Sequence, residues 1–459
     1  MKNLTYFAFL ALLAVCCGKT GGFKTIATDD KSAWNIAGEA AISPQTLVLK
    51  GNEARAATTS LYKNFVLEFE CKTSQGAIGA LQFHSDGIKD NPKGYEILIN
   101  NNAEPTEWRK SGSLSAVRNF GKCLAYNDTW VPFRIEVADK NIKAYIDGAF
   151  VVDYTEPAQP YRLPAYARRV LSEGVLVFAN YSAAPIEFRN IRVKTLSPNL
   201  TNNKGAQDEQ NDDIIRLSQQ NFPTIDQHLH LKGGLTSQDV EALTRQYGIT
   251  YGIAPNCGKN FPVTTDHDID QWLDTNRHHL YLLPMQAEGR EWLEMFSPAA
   301  VQKFDYVFTD ALTWTDDKGR RMRIWIPEET FVDNQQHFMD LLVKRAVGII
   351  STEPINIYVN PAFLPDQLLP QYDALWTKWR MTQVIDACVK AGVAIEINCR
   401  YKIPSQGFIQ LAKEKGAKFT IGTNNAGKED VGKLEYAVEI IKACGLTAAD
   451  MWIPTSKNR

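Results

Sequence analysis

The chain contains no C-x-x-C pair, which excludes a zinc ribbon and a thioredoxin-like redox motif. It has almost no net charge, -2 over 459 residues, so no basic excess points to nucleic acid. Residues 197–213 hold almost nothing apolar and cannot bury a core. What is present is the composition of a globular protein, 44% hydrophobic and 22% charged. The length is too great for one ordinary core, and two or three domains are expected. Beyond Cys16 and Cys17, the cysteines are widely and irregularly spaced, from Cys71 and Cys123 to Cys257, Cys388, Cys399 and Cys444. Cys71 and Cys123 pair if their strands are neighbours; buried free thiols are the alternative.

Three regions differ in rhythm. Lys2 precedes an apolar run from Leu4 to Val15, a pattern of a secretory signal rather than a membrane span. Leu13-Ala14-Val15-Cys16 resembles a bacterial lipobox, with Cys17 a competing acylation point. That implies a signal peptide over 1–17, a tether over 18–33, and an exported lipoprotein anchored to a membrane by lipid. Residues 34–196 alternate apolar and polar in short runs such as Phe65-Val66-Leu67-Glu68-Phe69-Glu70-Cys71. Asp147-Gly148 between two such runs marks a hairpin. Many such strands predict an antiparallel β jelly roll or sandwich. Residues 197–219 read as a linker.

From 220 to 459 the rhythm is helix, glycine, short apolar strand. Helices are predicted over 237–247, 381–391 and 405–415, followed by Gly248, Gly392 and Gly416. This is the pattern of an α/β barrel, in which chemistry sits at the C-terminal strand ends. Asp226, His228, His230, Glu396, Asn398 and Asn424 fall at such ends. In Asp226-Gln227-His228-Leu229-His230 the i, i+2, i+4 spacing puts a carboxylate and two imidazoles on one face of a strand. That donor set suits a borderline divalent metal such as zinc, manganese or iron.

Ile225-Asp226-Gln227-His228-Leu229-His230 resembles the opening motif of the polymerase-and-histidinol-phosphatase (PHP) superfamily of metal-dependent barrels. Gln286-Ala287-Glu288-Gly289-Arg290-Glu291, Ala394-Ile395-Glu396-Ile397-Asn398 and Phe419-Thr420-Ile421-Gly422-Thr423-Asn424-Asn425 resemble its later motifs. The resemblance implies one divalent metal, zinc or manganese, on His228 and His230 with Glu288 or Asp310. It implies catalytic roles for Asp226, Glu288 and Glu396, and a metal-activated water attacking an ester or amide. The chain departs from the family at Asn256-Cys257, Asn360 and Asn424-Asn425-Ala426, where amides replace ligands. Asn256, Asn360, Asn398 and Asn424 are then candidates for substrate binding.

Residues 34–196 resemble the 3-keto-disaccharide hydrolase domain, a concanavalin-like jelly roll. Gly94-Tyr95-Glu96-Ile97, Trp130-Val131-Pro132-Phe133-Arg134-Ile135 and Glu187-Phe188-Arg189-Asn190-Ile191-Arg192-Val193 carry the likeness. The family's Leu-Gln-x-His element reads Val177-Phe178-Ala179-Asn180-Tyr181 here, without histidine. Tyr95 and Glu96 become candidate substrate-binding residues, and His84 and Glu107 further titratable ones. Trp314, Trp325, Trp376 and Trp379 either form a sugar-stacking rim or pack. The expected protein is an exported carbohydrate-related hydrolase acting at the barrel mouth, with a glycan-binding jelly roll. Two alternatives stand beside it: glycoside or 3-keto-glycoside cleavage in the jelly roll, and a non-catalytic glycan-binding surface protein with a degenerate barrel.

Overall fold

The computed structural model describes residues 22–87, 92–105, 107–198 and 206–456. The expected signal peptide and acylated cysteine lie outside the described residues. Among the described residues no helix is long and apolar enough to cross a membrane.

The N-terminal half is an antiparallel, jelly-roll-like sheet. Its strands run in the order Tyr95–Ile99, Gly79–Ser85, Val175–Asn180, Leu47–Thr58, Ile186–Thr195, Phe65–Thr73, Val131–Ala138, Asn141–Ile146, Ala149–Thr155. One long strand explains how the sheet doubles over. The N-terminal part of Leu47–Thr58 pairs with Ile186–Thr195, and its C-terminal part pairs with Val175–Asn180. The inward faces meet in an aromatic core, where Phe69 packs edge-on to Phe178 at 5.3 Å between ring centres. Asp147 and Gly148 both take positive φ, 50° and 80°, and join the predicted hairpin. Lys24–Thr25 pairs with Ile186–Thr195, so part of the predicted tether belongs to the sheet. Cys71 is a free buried thiol, so the expected pairing of Cys71 with Cys123 does not form.

Part of the predicted linker is anchored. Glu209 is buried, accepts bonds from the Tyr154 hydroxyl at 2.6 Å and the Arg162 guanidinium at 2.7 Å, and precedes a helix, Asp213–Gln219. Its polarity is that of a buried ion pair on the sheet domain, which composition alone does not distinguish from a solvated spacer.

The C-terminal half holds eight parallel strand segments in one curled sheet. Thr250–Ile253 and Asn256–Cys257 are successive pieces of one interrupted strand. The first piece pairs with Ile225–Leu229 and the second with Met285–Ala287, so this strand closes the path into a ring. Helix Ser237–Tyr247 starts with a Thr236–Asp239 capping box and ends at left-handed Gly248, as the glycine predicts. Helix Lys378–Ala391 is capped by the Thr377 side chain and stops at left-handed Gly392, and helix Gln406–Glu414 is capped by Ser405 and followed, after Lys415, by left-handed Gly416.

The two halves meet at the N-terminal end of the barrel strands. Trp108, from the sheet domain, is buried against Ile225, Ile357 and Ala394, each the first residue of a barrel strand. Beside it the Gly121 amide donates to Thr250 Oγ1 at 2.8 Å, and the Cys123 amide donates to Ser456 Oγ at 2.8 Å. The sheet domain thus stoppers one end of the barrel and leaves the C-terminal strand ends to form a separate mouth.

Candidate functional site

At the mouth, Asp226, His228 and His230 are all buried. Asp226 does not face the two rings as a third donor. Its carboxylate accepts the Thr423 amide at 2.9 Å and the Thr423 hydroxyl, which ties the first strand to the last. Burial, outweighing those bonds, raises its pKa to about 7.

His228 Nδ1 lies 2.6 Å from Glu396 Oε1 and donates to it. That bond fixes the ring and leaves Nε2, the bare nitrogen of the neutral form, with no partner and no contact with bulk water. Phe308 covers this ring at 4.6 Å, and the His230 ring stands 5.3 Å away at 81°. His230 Nδ1 donates to the Ala254 carbonyl at 2.9 Å. Burial and the neighbouring His228 push its pKa down to about 3, so this ring is neutral. Glu396 Oε2 accepts the Asn360 amide N–H at 2.7 Å and Asn398 Nδ2 at 3.0 Å. Gly422 permits this approach, because a Cβ there would collide with the Glu396 carboxylate and with His228 Cβ.

The amides form a connected belt. Asn398 and Asn424 each donate to Asn360 Oδ1 at 2.9 Å, and Asn360 Nδ2 donates to Asp310 Oδ2 at 3.0 Å. Asn360 and Asn424 have φ of 49° and 48°, the left-handed region that asparagine tolerates better than most residues. On the other wall Asn256 Nδ2 and Gln286 Nε2 donate to Glu288 Oε1 at 2.6 and 3.0 Å. Burial, and then the charge of Asp310, raise the Glu288 pKa to about 8. Burial also raises Asp310. Arg290 and Lys232 oppose the shift at Glu288 without cancelling it.

The expected metal set, His228 and His230 with Glu288 or Asp310, is not drawn into one donor group. Among the described residues no three of His, Cys, Asp and Glu stand where they could hold a metal ion. Zinc sites use three or four protein donors, and here amides occupy the remaining positions around the rings. The residues present do not fit such an ion.

A second polar cluster lies on the jelly-roll sheet. Gln82 is opposite Glu96 across one strand pair and opposite Val177 across the next, so all three share a face. The Tyr181 hydroxyl donates to Glu96 at 2.6 Å. Burial acts to raise Glu96, but Arg169 and bonds from Tyr181, Ser115 and Gln82 outweigh it, and its pKa is lowered. Tyr95 does not join this cluster. As the adjacent strand residue it points into the core, where its hydroxyl donates to Glu156 at 2.7 Å. Glu107 is held by Arg109 at 2.9 and 2.7 Å and is also lowered, against burial. His84 is occupied at both nitrogens, Nε2 with the Lys63 carbonyl at 2.8 Å and Nδ1 with the Ser172 amide at 3.1 Å. Burial lowers its pKa to about 4.

Trp314 and Trp376 are packed in the barrel core, while Trp325 and Trp379 are exposed, so the four do not form one rim. Thr423, Gln286 and Phe308 complete the mouth, and Arg55, Gln82, Arg169 and Tyr181 complete the sheet cluster; none was singled out from sequence. Gln82 carried a usable signal, a polar residue between Leu81 and Phe83.

Residues 22–194 match the family model of the 3-keto-alpha-glucoside-1,2-lyase-like domain. Among solved structures, a candidate glycosyl hydrolase from Parabacteroides distasonis is 15% identical, with 38% of this chain and 94% of that chain covered and a TM-score of 0.35. A carbohydrate binding module from Bacillus subtilis is 17% identical, covering 36% of this chain and 96% of that chain at a TM-score of 0.28. Histidinol phosphate phosphatase from Lactococcus lactis, complexed with zinc, L-histidinol and phosphate, is 12% identical, covering 50% of this chain and 99% of that chain at a TM-score of 0.37. No curated protein matches the chain. The N-terminal sheet domain is thus similar, over residues 22–194, to the 3-keto-alpha-glucoside-1,2-lyase-like domain family.

Proposed function

We propose that the chain is a carbohydrate-directed hydrolase in which the barrel mouth carries out the reaction and the jelly roll holds sugar. The barrel is of PHP type, with its ligand positions turned to acid–base and amide chemistry. The observation that carries this reading is His228, whose Nδ1–H is fixed on Glu396 while its Nε2 is buried and bare. That is the arrangement of a general base with an orienting carboxylate. Across the mouth, Glu288 retains its proton at neutral pH and serves as the acid. Water gives a proton to His228 Nε2 as its oxygen bonds to the substrate carbon. The bond from that carbon to the leaving oxygen breaks, and that oxygen takes the Glu288 proton. The shielded Nε2 suits a single water rather than a sugar ring, and the asparagine belt suits substrate hydroxyls.

The jelly roll is assigned to binding because both its cleft acids, Glu96 and Glu107, are lowered and remain ionised, so neither supplies a proton. The family match over residues 22–194 supports sugar as what it holds. The test is hydrolysis of a panel of glycosides and sugar esters by the full chain after EDTA treatment and desalting. Turnover that survives chelation and vanishes in His228→Ala supports the reading. A rate that needs added zinc or manganese, or that is unchanged in His228→Ala, overturns it. We further place the protein outside the cytoplasm as a lipoprotein, on the pattern from Lys2 to Cys17. Incorporation of labelled palmitate, lost when Cys16 and Cys17 are replaced by serine, is the expected result.

A further inference from the structure

The sheet cluster contains polar atoms that nothing in the protein satisfies. Arg55 pairs with Ala179, which pairs with Ala80, so its side chain rises from the same face as Gln82 and Glu96. Its Nε and Nη1 are both shielded from solvent and have no hydrogen-bond partner. Gln82 is 3% exposed; its Nε2 donates to the Tyr181 hydroxyl at 2.9 Å, and its Oε1 has no partner. A buried donor or acceptor left unmade costs about 1–3 kcal/mol, and more when charged. A cluster holding both kinds is a built site for something that supplies their partners.

Charge on this face is uneven. Glu107 neutralises Arg109 through two bonds, and Arg169 acts on Glu96. Arg55 forms no ion pair among the described residues and is the unmatched cation. The positions between Arg55 and Gln82 on this face carry small side chains, Ala57, Ala80, Val177 and Ala179, none of which offers a polar partner to either. Tyr181, 36% exposed, stands between this buried cluster and solvent.

We propose that this face binds a saccharide bearing a carboxylate, a uronic acid residue, with Arg55 receiving the carboxylate and Gln82 Oε1 accepting a ring hydroxyl. The inference rests on the reading that the jelly roll holds sugar, and it names the class of sugar. A single negative charge fits better than a doubly charged phosphate, because ionised Glu96 shares the face and repels the second charge. Guanidinium binds carboxylate through charge-assisted bonds that a neutral hydroxyl or ester does not match.

The test uses the full chain and three probes: methyl glucuronide, its methyl ester and methyl glucoside, titrated by calorimetry or ligand-observed NMR. The glucuronide binds about tenfold or more tighter than the other two. Arg55→Gln brings the glucuronide affinity down to that of the ester, and Arg55→Lys, which keeps the charge without the fork, retains part of the preference. Thermal unfolding of both variants monitors the fold, and the lysine variant stands if the glutamine one fails. Equal affinity for glucuronide and ester, or a preference that survives in Arg55→Gln, overturns the inference and leaves the sugar-holding reading in place. Failure of all three probes to bind overturns that reading and the inference with it.

Discussion

The barrel mouth holds a buried glutamate, Glu288, and the sheet cleft a half-buried one, Glu96, each in a net of side-chain donors, yet the two treat the proton in opposite ways. Glu288 has two amide donors on one oxygen and Asp310 nearby, and burial raises its pKa to about 8. Glu96 is also penalised by burial, but Arg169 and a phenol hydroxyl more than compensate, and it is lowered. At Glu288 the negative charge of Asp310 adds to burial, and Asn256, Arg290 and Lys232 do not cancel the two; at Glu96 Arg169 and three side-chain donors outweigh burial alone. The first arrangement keeps a proton to give, and the second keeps a fixed charge to orient a partner.

The largest effect expected from disturbing this contrast is on rate. His228→Ala lowers kcat by about 10²–10⁴-fold while sugar binding by the jelly roll stays unchanged, read by turnover and by titration on the same preparation. Equal loss of both would mean that the regions are not separable. Next in size is the joint between them. Trp108→Ala empties the stoppered end of the barrel and costs about 3–5 kcal/mol in denaturant unfolding of the full chain.

A smaller effect, and the sharpest test of the contrast, is the pH dependence of stability. The folded pKa of Glu288, about 8, lies above the ordinary 4.5, so the native state binds the proton more tightly than the unfolded chain. Stability therefore falls as pH rises through that window, and Glu288→Gln flattens the fall. Glu96 is lowered, so its contribution is present above 4.5 and is lost as pH drops. Glu96→Gln removes a loss on the acid side only. Matching slopes in the two variants would abolish the distinction. The smallest effect belongs to Glu107→Gln, which breaks a partly exposed pair with Arg109, costs about 0.5–1 kcal/mol and leaves turnover unchanged.

Local patterns were legible in the chain, and distant ones were not. The Asp147-Gly148 hairpin and the Gly248 helix stop depend on a few neighbouring residues, and both stand as read. Asp226, His228 and His230 were legible as a strand-end motif, but their partners were not. Glu396 lies 168 residues from His228, and Thr423 lies 197 from Asp226. What each side chain bonds to decides whether it is a ligand, a base or a tie between strands. Tyr95 and Glu96 show the same limit at shorter range, since one step along a strand separates core from cleft. Glu209 looked like a spacer residue because composition carries no record of Tyr154 and Arg162 waiting for it.

The indole of Trp108 makes the gene hard to divide. Cutting the chain into its two architectural halves would leave one fragment with a greasy spike and the other with an open greasy hole, each inviting aggregation.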